Sequence, residues 1–314
     1  MNPQPESYLD IFNVLDFNKI IDHPNILIAA GFWEADKYGA AKTCYKLMRT
    51  IDDLIDDYKS AHPVITEAEQ ARLMVEVDQW ICAIAGQKNE KILTKEILDT
   101  FKTYQIPVWP MEAFAKSMLY DIHHDGFASL QVFLNYAEGA SVAPAAIFVH
   151  LCGLNRTKEG QFTVPAFDVQ AAARPCAIFS YLVHIIRDFQ KDQFHHLNYF
   201  ADDLVHQYGL DRTTLNDMAH GAPIEPGFRQ MIRAYLLVAD DYRQQTYLKI
   251  QEIKPLLEPR YQLSLEIIFN LYLMVFERID VEHGCFTTEE LNPTPEEVKA
   301  RVYDTISKFN PTNA

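Results

Sequence analysis

Apolar residues recur along most of this chain at the three- and four-residue intervals of amphipathic helices, and the alternation of a half-buried strand is scarce. The first run takes in Tyr8, Leu9, Ile11, Phe12, Val14, Leu15 and Ile20 over residues 7–21 and breaks at His23-Pro24. A short apolar segment, 25–32, leads into a helix that carries residues 41–58. After the loop KSAHPVI, Thr66-x-x-Glu69 has the form of a capping box at the head of a helix ending near Gly86, and a further helix covers 88–104. Pro107 and Pro110 precede a helical stretch from Met111 to Asp125. The next helix, 129–154, carries the small-residue run AEGASVAPAA, including Ala140 and Ala143, where another helix or an elongated ligand can approach the backbone. NRTKEGQFTVP reads as a surface loop, too short and too varied for an interdomain linker. Residues 167–192 predict a second central helix, followed by the irregular FHHLNYFADDL. Helices 228–253 and 260–282 follow, set off by prolines. Thr294-Pro295-Glu296-Glu297 opens the last helix with an N-cap, a proline at the first position and an acidic first turn. The pattern therefore predicts one all-α domain over residues 1–314.

Two helices break the rule that the inward stripe is apolar. In AKTCYKLMRTIDDLIDDY, Tyr45, Arg49, Asp52 and Asp56 fall at i, i+4, i+7 and i+11, the positions usually given to leucines, with Asp53 and Asp57 alongside. In SYLVHIIRDFQKD, Tyr181, His184, Asp188 and Asp192 fall at i, i+3, i+7 and i+11, while Leu182, Val183, Ile185, Ile186 and Phe189 fill the other faces. Carboxylates enclosed in this way repel one another and cost free energy unless a cation joins them. Hard oxygen ligands suit Mg²⁺, which takes one or two carboxylates per ion and completes its octahedron with water and phosphate oxygens. Two such stripes facing each other, with Asp52, Asp53, Asp56, Asp188 and Asp192 as metal ligands, would grip a diphosphate. The segments lack the alternate-residue ligands and central glycine of an EF-hand, and no phosphate-binding glycine loop or dinucleotide fingerprint occurs. The pairs His123-His124 and His195-His196 lack ligand partners at zinc spacing and read as surface or pocket residues.

Composition narrows the partners. Lys and Arg total 28 against 43 Asp and Glu, a net charge of −15 that argues against nucleic acid and requires an anionic substrate to meet a bridging cation or a local basic pocket. The five cysteines are odd in number and widely spaced, as expected of reduced core residues in a reducing compartment. The amino terminus lacks a signal-peptide pattern, and no apolar run approaches the roughly 20 residues of a membrane span. A cytoplasmic protein is expected.

The first stripe matches Y-x-x-x-R-x-x-D-x-x-x-D, and Ile185, Arg187, Asp188 and Asp192 match N-I-x-R-D-x-x-x-D after its first position. Asp121, Phe127 and Tyr136 precede ASVA at 140–143, and Tyr272 lies in NLYLMVFERID. In these features, over residues 23–300, the chain resembles the squalene/phytoene synthases, the head-to-head trans-isoprenyl diphosphate synthases. His184 replaces the usual asparagine, Tyr181 stands where many members have glutamine, and HLNYF replaces R-x-Y-x-P.

The resemblance implies a class I isoprenoid synthase bundle with a central cavity. Two or three Mg²⁺ ions would hold the diphosphates of two farnesyl or geranylgeranyl donors. One donor would ionise and attack the 2,3-double bond of the other to give a cyclopropyl diphosphate. That intermediate would rearrange to squalene with NADPH or to a conjugated triene without it. Asp52, Asp56, Asp188, Asp192, Tyr45 and Arg49 are then the expected catalytic group. Arg49, Arg187, His184, Tyr181, Tyr136, Tyr272 and Asp121 are the expected substrate contacts, with peripheral membrane contact for release of an apolar product. His184, beside two carboxylates, is expected to be drawn toward its charged form as a diphosphate clamp. The departures leave two alternatives open: a related class I enzyme acting on one prenyl diphosphate, and a non-catalytic prenyl-lipid binder.

Overall fold

The computed structural model describes residues 5–17, 25–62, 65–84, 86 and 95–312. In chain order the helices are α1 (Pro5–Val14), α2 (Asn25–Ala30), α3 (Ala35–Ala61), α4 (Glu67–Ile84), α5 (Lys95–Thr103), α6 (Trp109–His123), α7 (Leu130–Ala137), α8 (Ala143–Gly153), α9 (Val169–Arg187), α10 (Phe189–Phe194), α11 (Asp202–Gln207), α12 (Arg212–Ala219), α13 (Pro226–Ile253), α14 (Pro259–Arg278), α15 (Thr288–Leu291) and α16 (Pro295–Lys308). The expected all-α architecture is observed. The expected extensions of the first helix through 18–21 and of the fifth through 88–94 lie outside the described residues.

Helix α9 is the axis of the bundle, packed against α8, α13 and α14. Leu182, Val183, Ile185 and Ile186 are buried on it, each contributing about 1.5–3 kcal/mol relative to exposure. A polar stripe on so apolar a helix is kept at the expense of packing. Asp168 starts the helix by accepting a hydrogen bond from the Ala171 amide at 3.0 Å.

Local chemistry accounts for four departures from the sequence pattern. The stretch 129–154 is one apolar run but two α-helices joined by a π-turn, Glu138–Val142. Pro144, at the head of α8, has no N–H to return to the preceding turn, and the small residues before it let the turn widen. Gly139 belongs to this turn because a Cβ there would collide with the Ala113 carbonyl and the Ser117 hydroxyl of α6. The stretch 167–192 is interrupted at Asp188, which ends α9 and precedes α10. Its register survives, since the amides of Asp188 and Asp192 still bond to the carbonyls of His184 and Asp188 at 2.9 and 2.8 Å. The loop NRTKEGQFTVP contains a small antiparallel hairpin, β1 (Asn155–Arg156) and β2 (Phe162–Thr163). Of the two N-terminal boxes, that at Thr294 closes fully with Glu297. At Thr66 the side chain of Glu69 turns instead to Arg72.

The segments Leu130–Gly153 and Val169–Arg187 are apolar and long enough to span a membrane by composition, against the expectation that none is. Both contribute buried residues to the core.

Candidate active site

Helices α3 and α9 line a cavity of about 510 Å³, and its polarity is graded along both. On α3 the lining passes from Ala41, Cys44 and Met48 through Tyr45 and Arg49 to Asp52, Asp53 and Asp56. On α9 it passes from Ala173, Cys176 and Ala177 to Tyr181 and His184, and then to Asp188 and, on α10, Asp192. The apolar length is completed by residues such as Ile147, Phe148, Leu265 and Ile268. Burial of Cys44 and Cys176 pushes both thiols up to about 12.

The acidic end is short of positive charge. Burial, with Asp56 adding to it and Arg49 opposing, raises Asp52 to about 7. Asp56 is raised by burial against the pull of Lys59 and Arg49. Burial and the neighbouring Asp188 raise Asp192 to about 8, and Asp56 contributes to that rise, so the two stripes meet at one end of the cavity. Arg49 Nη1 lies 2.7 Å from Asp52 Oδ2, and the same guanidinium bonds to Asp53.

Asp188 is the exception. Burial opposes its ionisation, yet His184 and Arg187 overcome it and hold the carboxyl well below the usual range. Arg187 donates from Nε to Oδ1 at 2.6 Å and from Nη2 to Oδ2 at 2.9 Å, while His184 Nε2 lies 2.7 Å from Oδ2. Arg187 Nη2 also lies 2.9 Å from His184 Nε2. Burial first and the Arg187 charge second push the His184 pKa down. The pull of the carboxylates toward the charged form, expected from the sequence, is thus outweighed by burial and Arg187.

Tyr45, Arg49, Asp52, Asp53, Asp56, Tyr136, Tyr181, His184, Asp188, Asp192 and Tyr272 all line the cavity as the sequence suggested. Arg187 and Asp121 do not. Arg187 lies behind Asp188 and orients it, and Asp121 is buried beneath Tyr136, whose hydroxyl donates to it at 2.5 Å. Phe127 is likewise core, with its ring centroid 4.9 Å from that of Tyr136. The lining also includes His195, one of the histidines read as surface or pocket residues, and Lys191 and Tyr199, which the sequence did not single out. Lys191 was legible as a cation between the two aspartates, whereas Tyr199 lies in an irregular segment without periodicity.

The family model described as squalene/phytoene synthase matches residues 24–293. The chain belongs to the squalene/phytoene synthase family. It is accordingly a prenyltransferase of the squalene/phytoene synthase type. Among solved structures, a dehydrosqualene synthase in complex with ligand superposes with a TM-score of 0.68 at 13% identity, over 97% of this chain and 98% of that one. YisP from Bacillus subtilis subsp. subtilis strain 168 gives 0.60 at 14% identity, over 95% and 96%. The squalene synthase HpnC from Alicyclobacillus acidocaldarius gives 0.53 at 13%, over 79% and 96%. At such identities the likeness establishes the isoprenoid synthase fold. No curated protein sequence matches the chain.

Proposed function

We propose that this family member condenses two prenyl diphosphates, farnesyl or geranylgeranyl, head to head through a cyclopropyl diphosphate in a Mg²⁺-dependent reaction. The observation that carries the proposal is the meeting of two acidic stripes at one end of a cavity whose remaining length is apolar. That arrangement matches a ligand with an anionic head and a hydrocarbon tail.

Among the described residues no three His, Cys, Asp or Glu side chains form a ready-made metal cage. Mg²⁺ does not require one, because it keeps waters and takes phosphate oxygens beside one or two carboxylates. Asp52, Asp56 and Asp192 fit it, since burial first and neighbouring carboxylates besides raise all three, and a bound cation would offset both. Asp53 and Asp188 complete the set, and when bound the metal supplies Lewis-acid assistance to departure of the diphosphate. Arg187 and His184 fix the Asp188 carboxylate so that it need not reorganise when substrate arrives. Arg49, once released from Asp52 and Asp53, is placed to donate charge-assisted hydrogen bonds to diphosphate oxygens. The rings of Tyr45, Tyr136, Tyr181 and Tyr272 offer π-faces to an allylic cation.

Incubation with farnesyl or geranylgeranyl diphosphate, with Mg²⁺ or a chelator and with or without NADPH, tests the proposal by mass spectrometry of the products. A condensed C30 or C40 product that requires Mg²⁺ is expected. A cyclised or hydrolysed single-chain product would favour the one-donor alternative and overturn it.

Chain length gives a further test. Ala140 lines the cavity, whereas Ala143 is in the solid core, contrary to the expectation that both face the ligand. Ala140→Phe is expected to shift preference toward the shorter donor. Ala143→Phe is expected to destabilise by about 1–3 kcal/mol through overpacking, with no change in preference. Competition between the two donors reads the first and a denaturant midpoint the second.

A further inference from the structure

A second cavity, of about 220 Å³, lies where α3 and α6 end and shares no lining residue with the first. Its wall includes Lys59, His62, His123, His124, Asp125 and His196. These histidines come from three separate segments, so no spacing in the sequence marks them as a ligand set.

Two of them are held alike. His62 and His124 are the residues at which α3 and α6 stop. The His62 ring stacks on Tyr58 at 4.2 Å, with Nδ1 3.1 Å from the Tyr58 carbonyl oxygen. The His124 ring stacks on Tyr120 at 4.0 Å, with Nδ1 3.0 Å from the Tyr120 carbonyl oxygen. A carbonyl only accepts, so Nδ1 carries the proton in both rings, and in the neutral ring the lone pair is on Nε2. The stacking and the hydrogen bond fix ring plane and tautomer before any ligand arrives. The two helix ends also adjoin, because Lys59, one turn before His62, donates from Nζ to the His124 carbonyl oxygen at 3.2 Å. Both histidines are exposed, and an ion can reach them from solvent.

An imidazole that donates from one nitrogen to a carbonyl and leaves the other free is in the state in which histidine ligates metal. We propose that His62 and His124 bind a divalent ion of the zinc type in this cavity, each through Nε2. The surrounding groups favour nitrogen ligation over a site for a hard cation. Asp125 is committed to Arg212 at 2.7 Å. Asp121 accepts from the Tyr136 hydroxyl at 2.5 Å and lies 3.9 Å from Lys59 Nζ. With both carboxylates engaged, the oxygen ligands that Mg²⁺ and Ca²⁺ require are already in use, whereas imidazole suits Zn²⁺, Ni²⁺ and Cu²⁺. Among the described residues no three His, Cys, Asp or Glu side chains are gathered for one ion. The ion therefore has two protein nitrogens and completes its shell with water, which makes it exchangeable, unlike the closed shell of a structural zinc. Bound there, it ties the end of α3 to the end of α6, and it is separate from the Mg²⁺ of the reaction proposed above.

Isothermal titration with Zn²⁺, in excess Mg²⁺ to compete for the carboxylates of the first cavity, tests the site. The wild type is expected to bind a Zn²⁺ ion that the His62→Gln/His124→Gln double variant does not, and each single variant to bind it about 10- to 100-fold more weakly. The zinc-edge X-ray absorption spectrum of the wild-type complex is expected to show imidazole scattering and no sulfur shell, which separates this site from the exposed Cys82 and Cys285. Equal titrations of the wild type and the double variant overturn the proposal. So does a wild-type spectrum with sulfur or without imidazole, and that measurement decides even where the double variant does not fold.

Discussion

Asp52→Asn is expected to lower Mg²⁺-dependent turnover on the order of 10³-fold, while the metal-free variant melts above wild type. The two effects have one origin. Asp52 stands at about 7 because burial and Asp56 disfavour its charge, so the folded protein carries a repulsion that the amide removes. Arg49 retains Asp53 as a partner after the change. Activity and stability are opposed at such a position because a metal-binding carboxylate must be ionised where the empty fold resists it. Asp188→Asn is expected to lose turnover to a similar degree but to melt below wild type. The buried Arg187 guanidinium would lose the carboxylate that it holds at 2.6 and 2.9 Å, and breaking such a pair costs about 3–5 kcal/mol. Product assays and circular-dichroism melts of both variants check this, and stability shifts of the same sign would refute the assignment of charge.

With a chelator present, the melting temperature is expected to fall as the pH is raised from about 5 to about 8. Asp52 at about 7 and Asp192 at about 8 stand above the ordinary carboxylate value of 3.8, so the folded state keeps protons that the unfolded chain has released. Their stabilising contribution is complete below the unfolded pKa and lost as pH rises through the folded values. Asp188 runs the other way: its lowered pKa gives stability that is present above the unfolded value and lost only in acid. It therefore adds no slope in this window. Mg²⁺ with inorganic diphosphate is expected to flatten the profile and to raise the melting temperature at pH 8 by about 3 °C or more. A chelated protein with no fall over this range would mean that the carboxylates are already neutralised by protein groups. Melts at four pH values, with and without the two ions, decide it.

The acidic stripes were legible because polarity where leucine is expected is a strong signal, and the aspartates of both helices do line one cavity. The interruption at Asp188 was not, because its continuing i to i−4 bonds preserve the helical spacing that sequence records. The π-turn was hidden for a similar reason: Gly139 and Pro144 were visible, but only contact with Ala113 and Ser117 shows why the turn must be tight against α6. Arg187 was placed in the site by its neighbours in sequence, yet side-chain direction sends it behind Asp188. For His184, counting nearby carboxylates gave the wrong sign, since burial and a guanidinium at 2.9 Å outweigh them.

The two thiols in the cavity wall bear on how long such an enzyme survives its own chemistry. The allylic cation of the proposed reaction would alkylate whatever nucleophile it met first, and a thiolate is among the best in a protein. Cys44 and Cys176 stand at about 12, so at neutral pH only on the order of one in 10⁵ of either is ionised. Beside them the apolar wall offers alanines, isoleucines and rings. In the reaction proposed above, the apolar length of the cavity thereby meets the electrophile with no thiolate from Cys44 or Cys176, and Ser141, Ser180 and Thr246 present only neutral hydroxyls there.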